Sequence, residues 1–135
     1  MTQELKQKIY ELIKAMVLPS MRYDNGMMNV LSTVWNVYTL KSTGEDYRYK
    51  VLGDEIEKHY ILNDDWADDK VFIRILHLFD DDAKFIGFVE QIVDLSKGED
   101  FFAAFLDNLS KLLAEEDLQL SEEKNEQGYA AYSIV

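Results

Sequence analysis

The sequence predicts an α+β fold, mostly helical, in which five or six helices form a single domain and a C-terminal β-hairpin lies against them. Three observations predict it. Apolar residues recur at helical three- and four-residue spacing through most of the chain, and the period switches to two after about Asp117. A length of 135 residues, 47% of them hydrophobic, suffices for one core and falls short of two.

Residues 2 to 17 place Leu5, Ile9, Leu12, Ile13, Met16 and Val17 on one face of a first helix, with Thr2 as its N-cap and Pro19 marking its end. Ser20 to Gly26 reads as a loop, because Asp24-Asn25-Gly26 is turn chemistry with Gly26 supplying positive φ. A second helix starts near Met27 and runs to about Leu40. Its stripe of Met28, Leu31, Trp35 and Tyr38 faces the core, and Ser42-Thr43-Gly44 closes it.

A polar connection from Glu45 to Tyr49 leads to a third helix over about Leu52 to Leu62, whose periodicity is weaker. Asn63 to Asp69 forms a turn, since Asn and Asp side chains satisfy local backbone groups outside helices. Lys70 to Phe79 is apolar on nearly every side and fits helix or strand; helix is adopted. Asp80-Asp81-Asp82 supplies an N-cap and negative charge to a fifth helix, about Asp82 to Leu95, carrying Phe85, Phe88, Val89, Ile92 and Val93.

A sixth helix, about Glu99 to Glu115, carries Phe102, Phe105, Leu106, Leu109, Leu112 and Leu113, and the short Ser96-Lys97-Gly98 link makes these two helices neighbours. The strands of the hairpin are Asp117 to Ser121 and Tyr129 to Val135, joined by Glu122 to Gly128. No repeat or low-complexity linker divides the chain, so 1–135 is taken as one domain.

Composition narrows the function classes. The absence of cysteine removes disulfide frameworks, thiolate zinc sites and cysteine nucleophiles. With no apolar run of about 18 residues and no signal-like N-terminus, the expected location is cytoplasmic, with no membrane contact. A net charge of −12 disfavours nucleic acid and anionic membranes. It serves solubility or favours a basic protein partner.

Few residues point to chemistry. His77, inside the apolar run, reads as a core or boundary histidine. His59 has Glu55 four residues before it and Asn63 four after, which suits a hydrogen-bonded helix face ending in a C-cap. With Asp64 and Asp65 nearby, a metal site at His59 is the sharper alternative. Asp64, Asp65, Asp68 and Asp69 lack the spacing of a calcium loop and read, like Asp80 to Asp82, as caps and solvated turns. No GxSxG elbow, P-loop or GxGxxG is present. Arg22, Arg48 and Arg74 are the only arginines, and the Tyr47-Arg48-Tyr49 patch suits either a bidentate or stacked contact or a surface loop tied by Arg48 to Asp46.

Several of these residues together resemble the third class of AbiJ N-terminal domains, from bacterial abortive-infection proteins. The resemblance is carried by Leu31-Ser32 and Trp35, then Thr43, Asp46 and Arg48, then Glu55-Ile56 and His59, then Asn63, Asp65 and Trp66. It continues through Asp81, Asp82, Phe85 and Phe88 to Leu118, Leu120, Gly128 and Tyr132. The chain departs from the family pattern at Asp24 to Met28 and at Asp94 to Gly98.

The resemblance implies a sensing or interaction module that precedes an effector domain such as a predicted RNase, with no activity of its own. The chain then stands alone or is one part of a longer, effector-bearing protein. The expectation is a non-catalytic, protein-binding module of antiphage defence, with a protein partner or fused effector domain and neither metal nor cofactor. Its candidate binding residues are Asp46, Arg48, His59, Asn63, Asp65 and Trp66. An acidic immunity or antitoxin protein that neutralises a basic toxin is the alternative, and a metal-dependent hydrolase using His59 is a third.

Overall fold

The computed structural model describes residues 1–35 and 52–135. Helix α1 (Gln3–Met16) buries Leu5, Ile9, Tyr10 and Ile13, and the Thr2 hydroxyl caps it by accepting a bond from the Leu5 amide at 3.2 Å. The first helix ends at Met16, shortly before Pro19, as expected. Pro19 sits in the first turn of a short helix, α2 (Leu18–Met21), where a missing N–H leaves no bond unmade.

Helix α3 (Gly26–Trp35) follows a turn in which the Asp24 carboxylate accepts the Gly26 amide at 2.7 Å. Gly26 is not in the left-handed region, contrary to the expectation. A Cβ at this position would meet Leu95 Cδ1 at 2.5 Å, so any larger residue here would have to displace the Leu95 side chain. The rest of the second predicted helix, with Tyr38 and the Ser42-Thr43-Gly44 closure, lies outside the described residues.

Helices α4 (residues 52–62) and α5 (residues 68–75) both finish in π-helical turns, Glu57–Leu62 and Lys70–Ile75. Their ends share one bonding pattern. In α4 the Asn63 amide donates to the Lys58 carbonyl (2.8 Å), Asp64 turns left-handed at φ 53°, and the Asp65 amide reaches back to the His59 carbonyl (2.9 Å). In α5 the same steps are Leu76 to Val71 (2.9 Å), His77 at φ 52°, and Leu78 to Phe72 (2.8 Å).

A π turn is wider than an α turn, so apolar residues drift off the 3.6-residue face. This is why the pattern weakened in the third predicted helix and failed to separate helix from strand in the fourth. It also corrects His77, whose ring is exposed and lies 3.5 Å from Asp80. The position needs a residue that tolerates the left-handed step, and histidine does so better than most.

Helix α6 (Asp82–Ser96) is capped by the Asp81 carboxylate, which accepts the Lys84 amide at 3.0 Å, and α7 (Phe102–Ala114) closes with Asp117 at φ 58° and a Leu118 to Leu113 backbone bond of 3.0 Å. Both were predicted. Strands β1 (Leu120–Lys124) and β2 (Ala130–Ile134) pair antiparallel, with Leu120 opposite Ile134 and Glu122 opposite Tyr132. The first strand therefore takes in Glu122, Glu123 and Lys124, which the sequence pattern assigned to the connection. Pairing with β2 overrides their weak strand preference. The remaining turn is tied by the Asn125 side-chain carbonyl, which accepts the Gln127 and Tyr129 amides at 3.0 Å each, and Gly128 takes φ 84°.

The architecture is thus α+β as predicted, with seven helices among the described residues. Helix α3 packs on α6, α1 on α7, and β2 on α6. At the centre the Phe72 ring lies 5.0 Å from Phe88, 5.7 Å from Tyr60, 6.1 Å from Tyr10 and 6.4 Å from Trp35. Lys6 is buried beneath this cluster's edge, where its amine donates to the Phe79 carbonyl at 3.0 Å and pairs with Asp82. Among the described residues no helix is long and apolar enough to cross a membrane.

Because Phe72 joins four elements in one aromatic cluster, Phe72→Ala is expected to cost about 3–5 kcal/mol, read from urea denaturation. The Lys6 ammonium, with the Met1 amino group, holds the Asp82 carboxyl below the usual carboxylate range, and Thr2 does the same to Glu116. Carboxyls depressed in the folded state stabilise above the ordinary value of about 4 and lose that contribution as pH falls through the depressed one. The urea midpoint should therefore drop as pH falls below about 4, and Asp82→Asn should flatten the drop.

Candidate functional site

The turn between α4 and α5 is built around Arg22, which follows α2. One guanidinium nitrogen of Arg22 donates to the Tyr60 carbonyl at 2.7 Å and the Trp66 carbonyl at 3.1 Å, and lies 2.8 Å from Asp64 Oδ1. The guanidinium also stacks 4.2 Å from the centre of the Tyr60 ring. Its side chain is only 13% exposed, so these partners replace most of its hydration. The sequence motif Asn63 to Asp69 thus wraps a largely covered cation.

The acidic residues of this turn are not merely solvated, which corrects the sequence expectation. Asp64 accepts from the Tyr23 hydroxyl at 2.9 Å as well as from Arg22. Asp68 accepts from the Tyr60 hydroxyl at 2.7 Å, and Asp69 from the Tyr10 hydroxyl at 2.8 Å and Lys14 at 3.3 Å. Burial, followed by these carboxylates, pushes both the Tyr10 and Tyr60 phenols far above their ordinary range, so both remain neutral donors. Each carboxylate has its own hydroxyl donor, and Asp64 and Asp68 also share Arg22, whose guanidinium lies 2.8 Å from the first and 3.8 Å from the second. Among the described residues no group of three His, Asp or Glu side chains is placed to hold a metal.

His59 lies on the last turn of α4. Its Nε2 is 3.1 Å from Glu55 and its Nδ1 is 2.9 Å from Asp65, so both ring nitrogens have carboxylate partners. The imidazole stacks on Trp66, with centroids 4.6 Å apart and planes 17° from parallel, and the Lys70 amine lies 4.6 Å from the centre of the same indole. The widened π end makes this stack possible: the His59 carbonyl accepts both the Asp65 amide (2.9 Å) and the Trp66 amide (3.1 Å) and folds the chain back over the ring.

Of the sequence-predicted site residues, His59, Asp65 and Trp66 come together in one cluster. Asn63 belongs to it through its backbone amide, while its side chain is exposed and bonds no described residue; the predicted three-residue face reduces to Glu55 and His59. Asp46 and Arg48, with the proposed clasp between them, lie outside the described residues. Sequence reasoning missed Arg22, Tyr23 and Tyr60 as members. The available signal was charge balance: a dense acidic turn in a chain with only three arginines needs a cation to close it.

As a chemical arrangement the site is an acidic surface, with Asp64, Asp65 and Asp69 each more than half exposed. Leu62 and Tyr23 stand out beside it, 71% and 49% exposed. Truncating Arg22→Ala should cost about 2–4 kcal/mol, because it orphans two carbonyls and a carboxylate. Arg22→Lys should recover less than half of that in urea melts, since an ammonium provides neither the planar fork nor the stack on Tyr60.

No curated protein and no solved structure matches the chain. The family described as AbiJ N-terminal domain 3 matches residues 1–134, and the match runs through every described element, from α1 to β2. The chain therefore belongs to the AbiJ N-terminal domain 3 family, which ties it to bacterial abortive-infection defence.

Proposed function

We propose that this protein is a cytoplasmic sensing or protein-interaction module of an antiphage abortive-infection system, and that it catalyses no reaction itself. One observation carries the reading beyond family membership. Around Arg22 and His59 the terminal guanidinium nitrogens, both imidazole nitrogens and the carboxylates of Asp64, Asp65, Asp68 and Asp69 are engaged by neighbours among the described residues, and Asp64, Asp65 and Asp69 still present more than half of their side chains as an acidic surface. Preformed surfaces bind with little ordering cost.

The partner is a protein or a joined effector domain with basic character. A net charge of −12 repels phosphate backbones and steers a basic partner inward. The test uses the full natural protein in bacteria challenged with phage. Wild type should lower plaque counts, and Asp65→Lys, which reverses an exposed charge, should abolish protection without lowering protein abundance. The purified protein should leave RNA and DNA intact. Cleavage that disappears in His59→Ala would overturn the non-catalytic reading.

A further inference from the structure

We propose that the outer edge of β1 receives an extended, lysine- or arginine-bearing segment of a partner protein as a third strand. The inference rests on the interaction-module reading above and names a surface and a partner chemistry for it.

The hydrogen-bond phase of the hairpin is fixed by Gln119 and Val135, which exchange both backbone bonds at 2.9 Å each. In an antiparallel pair such positions alternate, so Ser121 and Glu123 point their backbone groups at β2, while Leu120, Glu122 and Lys124 point theirs away. The same alternation turns Ala130, Tyr132 and Ile134 outward on β2. There α6 covers the edge: the Glu90 carboxylate accepts the Ile134 amide at 2.9 Å, and the Lys97 amine donates to the Ala130 carbonyl.

On β1 no group among the described residues reaches the outward amides and carbonyls of Leu120, Glu122 and Lys124. The two edges of one hairpin are thus treated differently. An open edge is a template for strand addition.

Charge selects the occupant. From Glu115 to Glu126 the chain has six carboxylates and one lysine, and Glu122 and Glu123 sit on the strand itself, both exposed. A second copy paired antiparallel about Glu122 would set two Glu122 side chains opposite each other, which is repulsive. Glu122 and Glu123 lie on opposite faces of β1, so an incoming strand with Lys or Arg opposite either one gains a cross-strand pair instead.

The probe is a blocked peptide of alternating lysine and valine, with an alternating glutamate and valine peptide and a backbone N-methylated lysine and valine peptide as controls. Binding is read by fluorescence anisotropy, and protection of the Leu120, Glu122 and Lys124 amides by hydrogen exchange. The lysine peptide should bind and slow exchange at those amides; the two controls should not. Glu122→Pro removes an outward N–H and leaves the bonds to β2 in place, so it should weaken binding by at least about tenfold with unchanged thermal melting.

A paired Glu122→Lys and Glu123→Lys variant should reverse the preference to the glutamate peptide. Equal binding of the N-methylated peptide, insensitivity to Glu122→Pro, or self-association of the wild-type chain that Glu122→Pro abolishes would each overturn the inference. These failures leave the interaction reading standing wherever phage protection still depends on Asp65. Nucleic-acid cleavage dependent on His59 would remove that reading whatever the edge does.

Discussion

The guanidinium of Arg22 is the constraint on which the rest of the structure turns. With 13% of its side chain exposed the guanidinium needs oxygen partners, and its terminal nitrogens find them on α4, on the α4–α5 turn and in Asp64, while Nε is buried with no partner among the described residues. Satisfying it fixes where the turn sits against α2. That in turn presents Tyr60 to Asp68, Tyr10 to Asp69 and His59 to Trp66. The buried tyrosines then connect this polar cluster to the Phe72 aromatic core, because Tyr10 and Tyr60 contact Phe72 with their rings while their hydroxyls serve the acidic turn. Polar and apolar order are therefore coupled through the same two side chains.

The paired π-ended helices make this geometry reachable. An α-helical end at residue 62 would return the chain after one tight turn; the π end is one residue wider, and the left-handed step at Asp64 completes the reversal. Repetition of the same step at His77 brings the chain from α5 into the Asp80 to Asp82 cap of α6. The two non-glycine residues carry a small backbone strain at these steps, and the tertiary contacts on either side hold them there.

For a defence module, such a construction has a functional logic. Asp64, Asp65 and Asp69 are each bonded to a neighbour and still more than half exposed, so the acidic surface is part of the fold itself. The hairpin is tied to α6 along one edge and placed at the far end of the chain from α1, so the acidic turn and the β1 edge belong to separate elements of the same fold. Membership of the AbiJ N-terminal domain 3 family covers both.

The sequence by itself determined the helical segments at 3–16, 82–96 and 102–114, the Thr2 and Asp81 caps, the hairpin and the nearness of Glu55 and Asp65 to His59, because those features depend on periodicity and on neighbours a few residues apart; Trp66 joined that group through the family resemblance. Only tertiary structure decided the rest. The close approach of Gly26 to Leu95 comes from packing between helices, the extension of β1 through Lys124 from pairing with β2, and the role of His77 from a left-handed step that a π turn demands. Arg22 meets Tyr60 and Trp66 across 38 and 44 residues, and no local pattern encodes which cation an acidic turn will enclose. Spacing along a chain specifies what a residue's near neighbours are; the identity of a long-range partner is set by the packing that brings the elements together.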